Sequence, residues 1–462
     1  MNVLLISNKM VGIMGSDFMR FNKIIVIIMF LIIVLIIQGS NKIMPHQTSK
    51  MVQQNKNIVL PVEVKEINIK KLGVKGDGTD ESRKIQNIIA SLPDGSKVIF
   101  PPGTYKCKNI VLNNKKNITL YGLGALLQMP IVGTYATDFT LKLIDCSNCK
   151  IYGLKMDGAK LQGVPGNGIT GISGIVITAE SHDIDIIHCK ICNYNNAAVG
   201  VYKYSDRATE PYNIKVNFNN MINTDCGIIF YGANNCEAIE NTIEGGTSEG
   251  ISIFRDDDSS PSWYIERKSY TLTKSDSHHI TVSRNVIKNK PGTALNVQNG
   301  YYCTLVGNKG YNVQNSIMCK GIGNIFDNNV FYTTNSPLFM IKSYKCKITN
   351  NKFYKNTNGL SLSNNCDDVD VSGNLIFYTT ATNINGAGIL VTEGLKNSRI
   401  NGNLIESTEQ EGIRLHDGIF DHILINNNRF IAIGTIPFFC GSSLQFSCRS
   451  EEHTSELQSQ DA

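Results

Sequence analysis

The chain has 462 residues, 42% of them apolar and 18% charged, with 40 Gly and 12 Pro. That balance excludes a disordered chain or a fibre, and a formal net charge of +5 is too small to imply a nucleic-acid partner. Thirteen cysteines, an odd total in a long chain, do not read as a small disulfide scaffold.

Ile24 to Ile37 form an unbroken apolar run, preceded by Arg20 and Lys23 and followed by Gln38-Gly39-Ser40. It is short for a bilayer span of ~20 residues. Residues 19–40 therefore read as a signal peptide or uncleaved N-terminal anchor, and as the chain's one membrane contact. Met19 is a more natural start than Met1, which leaves 1–18 as upstream sequence. Residues 41–65 read as a linker.

The block 66–105 predicts a short amphipathic helix and then a strand. Thr79 is the expected N-cap, with Asp80 and Glu81 in the first turn. Ile85, Ile88, Ile89 and Leu92 recur at i, i+3, i+4 and i+7, one apolar face suited to covering an open sheet edge. Val98-Ile99-Phe100 is the strand, and Pro101-Pro102-Gly103 turns the chain. Further on, Cys146-x-x-Cys149 and Cys189-x-x-Cys192 have zinc-like spacing. Positions i and i+3 of a strand face opposite sides, so these cysteines are expected to be apolar filler inside a repeat.

That repeat is carried by asparagine. Asn220, Asn241, Asn285, Asn308, Asn329, Asn351, Asn374, Asn403 and Asn428 are spaced by 21, 44, 23, 21, 22, 23, 29 and 25 residues. The interval of 44 reads as one repeat with an insertion. Between these asparagines lie short apolar strands opening with Gly-Ile, such as Gly227-Ile228, Gly250-Ile251 and Gly412-Ile413. A period near 22 with short strands and Asn-rich turns predicts the coils of a parallel β-helix, stacked ~4.8 Å apart, with the asparagines in a ladder. Cys189 stands where later coils have the ladder residue.

Chemistry is sought where adjacent coils bring side chains together. Asp225 precedes Cys226-Gly227-Ile228, and Glu249 precedes Gly250-Ile251. The spacing predicts the two carboxylates side by side on an exposed groove, as a general acid paired with a base or nucleophile requires. The alternative for Asp225 is a plain turn residue. The insertion opens at Arg255-Asp256-Asp257-Asp258, an acidic triplet able to hold Ca²⁺. It then offers Trp263, Tyr264, Arg267 and Lys268, and closes near His278 and His279. Aromatic rings and cations suit a uronate-containing sugar, and Arg255 or Lys268 would be the base of a lyase. The alternative is a solvated loop. Arg414, His416 and Asp417 form a third cluster that reads as structural.

The end of the chain, Arg449 to Ser459, resembles the in-frame translation of a sequencing-library adapter. Native sequence is then expected to stop near Cys448, with 449–462 unpacked.

Gly73 to Asp80, the helix after it, Phe100 to Tyr105 and Ile151 to Gly158 resemble the pectate-lyase-like superfamily. This superfamily includes rhamnogalacturonase, epimerase-like and tailspike proteins. The resemblance spans about 66–436 and implies a right-handed parallel β-helix. Asn223-Thr224-Asp225 is similar to the first catalytic motif of polygalacturonase-like hydrolases. That family has paired aspartates in the next coil, then Gly-His-Gly and Arg-Ile-Lys. Here Glu249 stands alone and neither later motif is present.

The expectation is thus an all-β chain, a single parallel β-helix of about 11 coils over 66–448 with an N-terminal capping helix. Its expected function is that of a secreted or surface-anchored enzyme cleaving or modifying an acidic polysaccharide, as hydrolase or lyase. The alternatives are a uronan epimerase and a non-catalytic glycan binder.

Overall fold

The computed structural model describes residues 65–130, 138–158, 171–203, 209–255, 272, 275–441 and 445–447, all within one compact unit, Val62–Ala462. The apolar run Ile24 to Ile37 and the tail 449–462 lie outside the described residues. Among those described, no helix is long and apolar enough to cross a membrane.

The chain winds as a right-handed parallel β-helix of about 13 turns. Its first face is a 14-stranded sheet from Glu66–Asn68 to Leu424–Asn426, its neighbouring strands parallel and one coil apart. The second and third faces form one 26-stranded sheet, because Val286–Tyr301 and Lys309–Ile322 run through the corner between them. The two coils beyond the expected eleven are N-terminal ones, where Val98, Leu120 and Ile151 stack before any ladder asparagine marks the period.

The asparagine ladder occupies the corner between the first and second faces. Asn308 shows its unit. Its backbone N–H and its Nδ2 both donate to Asn329 Oδ1, at 2.9 and 3.0 Å, and Nδ2 also donates to Val282 O at 2.9 Å. The same bonds repeat from Asn241 through Asn403 to Asn428. Asn241 bonds Asn285 directly, so the interval of 44 is a single coil. Each ladder residue follows one with left-handed φ, such as Gly307, Asn328 and Asn350. One expectation is corrected here. The ladder residue of the first such coil is Asn219, which bonds Asn241, while Asn220 opens the next strand and is exposed. Cys189 does hold the preceding rung, its N–H donating to Asn219 Oδ1.

The Gly-Ile pattern has a steric cause at the entry to the third face. A Cβ on Gly250 would lie 2.5 Å from Ala294 O and 2.9 Å from Ile287 Cγ2. The strand bends there against the core, and only very small residues fit.

The helix spans Ser82–Ala90, with Ile85, Ile89 and Leu92 buried. The expected cap, Thr79, is not its N-cap. Asp77–Asp80 is a strand paired with Gly103–Lys106, so helical geometry begins only after Glu81. Glu81 does not cap by its side chain; its carboxylate accepts from the N–H groups of Lys75 and Gly76. The helix does protect an edge. Gln86 donates to Val111 O at 3.1 Å and accepts from Val111 N at 2.7 Å, replacing the neighbour missing from the first third-face strand, Ile110–Asn113.

The described cysteines are free thiols. Burial pushes Cys189, Cys236 and Cys303 up to about 12. Cys146 and Cys149 do not face opposite sides as expected, since both are buried. The left-handed φ of Asn148 between them breaks strand alternation. Cys189 and Cys192 follow the expected split, one buried and one half-buried. No group of three or more metal-ligating side chains occurs among the described residues.

Candidate functional site

The third face carries the sequence candidates. Its strands Ala197–Tyr202, Cys226–Tyr231 and Ile251–Phe254 stack in register, Val199 on Ile228 on Ile251, with those side chains inside. The alternate residues form a second, outer set. Ala197, Cys226 and Ile229 make a hydrophobic cluster of their own, packed by Tyr202, Tyr231 and Phe254. At its centre Ser252 stacks on Asn296. Ser252 Oγ and Asn296 Oδ1 are buried and have no hydrogen-bond partner among the described residues.

At the start of these strands the register separates the expected carboxylate pair. Ser248 N donates to Asp225 O, which sets Asp225 against Ser248 and Cys226 against Glu249. Asp225 stands two residues before its Gly and Glu249 one before its own, so the two fall on different columns. Asp225 is 2% exposed and therefore not on an open groove. Its corner is braced from below by Lys290, itself buried, whose Nζ donates to Thr224 O at 2.6 Å and Asp225 O at 2.8 Å. Gly246 makes room for that lysine, since a Cβ there would lie 1.7 Å from Thr224 O and 2.9 Å from Nζ. Glu249 is half-buried and accepts at Oε2 from Cys226 Sγ at 3.4 Å and from Ser248 Oγ. Burial, then the Glu249 charge, pushes the Cys226 thiol up to about 12.

The strand ends bring together charges from three segments. Arg255 Nε lies 3.5 Å from Oδ1 of Asp276, which is fully buried. Lys203, 5% exposed, reaches Ser275 Oγ at 3.5 Å. His278 Nε2 is 3.6 Å from Glu210, and its Nδ1 lies 2.8 Å from His279 Nδ1. His279 stacks on Tyr302. Partial desolvation of this solvent-exposed ring and the neighbouring His278 hold the His279 imidazole below its ordinary value, so it is neutral at neutral pH and able to accept a proton. Glu249 and Arg255 sit at opposite ends of one strand, six residues or ~20 Å apart.

Lys203 and Glu210 were absent from the sequence candidates. Lys203 follows Tyr202 as Arg255 follows Phe254, and aligning strand ends exposes that equivalence. Asp256, Asp257, Asp258, Trp263, Tyr264, Arg267 and Lys268 lie outside the described residues. The third cluster is engaged locally: Arg414 pairs with Glu411 at 2.8 Å and lies over the Phe439 ring, and His416 is 3.3 Å from Asp417.

A family model described as rhamnogalacturonase A/epimerase, pectate lyase-like matches residues 66–318, more than half of the chain. A second, for the periplasmic copper-binding protein NosD, matches 259–432. No curated protein matches in sequence. Among solved structures, the mannuronan C-5 epimerase AlgE6 A-module of Azotobacter vinelandii aligns with TM-score 0.58 and 14% identity, covering 79% of this chain and 99% of that one. PfbA, a surface adhesin of Streptococcus pneumoniae, aligns at 0.53 and 12%, covering 82% and 93%. The family 28 exopolygalacturonase of Yersinia enterocolitica aligns at 0.50 and 14%, covering 81% and 78%. At these identities the likeness is one of fold.

Proposed function

The chain belongs to the rhamnogalacturonase A/epimerase, pectate lyase-like family, and from that premise we propose that it is an exported enzyme acting on a uronate-containing polysaccharide. The sugar chain lies over the outer side of the third face. Arg255 and Lys203 neutralise a uronate carboxylate, which acidifies the adjacent C–H. His279, neutral at working pH, accepts that proton. The C4–O bond then breaks as the C4=C5 double bond forms, and the departing oxygen takes a proton from water, which leaves an unsaturated uronate on one side and a new chain-end hydroxyl on the other. The observation that carries this reading is the grouping of Lys203, Arg255 and the His278–His279 pair at one edge of the face. Hydrolysis by Asp225 with Glu249 has less support, because a carboxyl pair must flank one glycosidic bond and these two occupy different columns.

The test is incubation with polygalacturonate and alginate, read both for reducing ends and for absorbance of unsaturated uronates. Rise of both together supports elimination. Reducing ends without absorbance mean hydrolysis. Exchange of the C5 proton with solvent, with neither signal, means epimerisation. No change by any readout leaves a glycan binder.

A further inference from the structure

The second face carries a feature that the proposed chemistry does not use. Tyr311, Tyr332 and Tyr354 stand in register on successive coils and point outward. Their rings stack at 5.3 Å and 4.9 Å with interplanar angles of 3° and 10°, and Phe377 closes the row edge-on. Tyr311 and Tyr332 are 37% and 38% exposed. Beside them Lys309, Lys352 and Lys355 are exposed. The five segments that build this stretch, 286–293, 309–315, 330–336, 352–358 and 375–381, contain no Asp or Glu. Acids return at its two ends, with Glu244 one coil before and Glu406 one coil after.

We infer that this face is a second binding surface for a linear acidic polysaccharide lying parallel to the helix axis, and it rests on the proposed function only for the substrate class. Five coils span about 19 Å at the strand spacing. Stacking covers the ring faces and turns edges and hydroxyls outward, one per coil. That arrangement offers hydrogen bonds at a regular interval and cations for carboxylates. It withholds the free aromatic faces on which bases of a single-stranded nucleic acid would stack. A second copy of the chain meeting this face symmetrically would set lysine against lysine. Charge complementarity therefore favours the polyuronate.

Binding of polygalacturonate and alginate, with dextran and single-stranded DNA as comparison polymers, is measured calorimetrically at low and physiological salt. The variant carries Lys309→Glu, Lys352→Glu and Lys355→Glu, all surface changes, with the thermal unfolding midpoint as a check on folding. Loss of at least about tenfold in polyuronate affinity, diminishing with salt, is expected. Tyr332→Ala with Tyr354→Ala is expected to weaken binding as well. Arg255→Gln, at the proposed reaction site, is expected to lower turnover of a short uronate oligomer. Turnover of a short uronate oligomer is expected to be unchanged in the lysine variant. Unchanged polyuronate affinity in that variant overturns the inference, as does equal affinity for dextran or DNA. Polyuronate binding that is lost in the variant, from a chain with no turnover at all, keeps this surface and rejects the proposed chemistry.

Discussion

Cys226, not Asp225, lies opposite Glu249 in the next coil, with its Sγ 3.4 Å from Oε2. This one-residue offset decides what each acid can do. Glu249 is held at the start of its strand by Ser248 and Cys226, ~20 Å from Arg255, where it can bind a distant sugar unit. Glu249→Gln is expected to raise KM several-fold with kcat retained. A fall in kcat of about 10²–10⁴ would instead mark Glu249 as a general acid and favour hydrolysis. Asp225→Asn is expected to act mainly through stability, because Asp225 is buried.

The ladder makes a separate prediction about stability. Asn308 Oδ1 accepts from both the backbone N–H and the Nδ2 of Asn285, and Asn308 Nδ2 satisfies Val282 O. Asn308→Ala leaves the buried Asn285 N–H without its acceptor, takes one of the two bonds of Asn285 Nδ2 and removes a donor from Val282 O, a cost of roughly 2–4 kcal/mol. Asn220→Ala, one residue off the ladder and exposed, is expected to cost under about 0.5 kcal/mol. Thermal unfolding of the two variants checks the contrast, and similar midpoints would deny the ladder its role.

The fold was legible because its period is written in the residues that the corners require. Left-handed positions and buried asparagine amides recur where the chain turns, and Gly recurs where a Cβ would strike the next coil. The N-terminal coils were undercounted because ordinary apolar residues fill their corners. The site was less legible because strand register is exact to one residue and sequence spacing is not. Counting Asp225 and Glu249 from their glycines gives offsets of two and one, a difference that the 24-residue spacing hides and that the cross-strand pairs confirm. Lys203 was hidden because its partner Ser275 is 72 residues away.

His279 predicts a pH dependence. Partial desolvation and His278 hold its proton affinity below the ordinary 6.5, although the ring is solvent-exposed. The folded chain therefore releases this proton at a lower pH than the unfolded chain does. Between the two values the unfolded chain holds more protons, so stability falls as pH drops below about 6.5. Unfolding midpoints measured from pH 7.5 to 5 are expected to decline less in His279→Gln than in the unaltered chain. An equal decline in both would show that this imidazole is not coupled to folding.

Arg255 and Asp276 stand on the two stems of the insertion, and their pair has both a structural and a proposed chemical use. Asp276 is fully buried, while the Arg255 side chain is 15% exposed. Removing the cation takes a partner from a carboxylate that water does not reach. Removing the anion leaves a guanidinium that can still turn to solvent. Arg255→Gln is therefore expected to cost roughly 2–4 kcal/mol and Asp276→Asn about 1 kcal/mol. The double variant is expected to regain most of the stability lost by Arg255→Gln, because no charge is then left facing a neutral partner. If Arg255 neutralises a uronate, that double variant stays inactive although it folds. Recovery of turnover together with stability would make the pair a clasp for the insertion alone, and would move the proposed reaction away from Arg255.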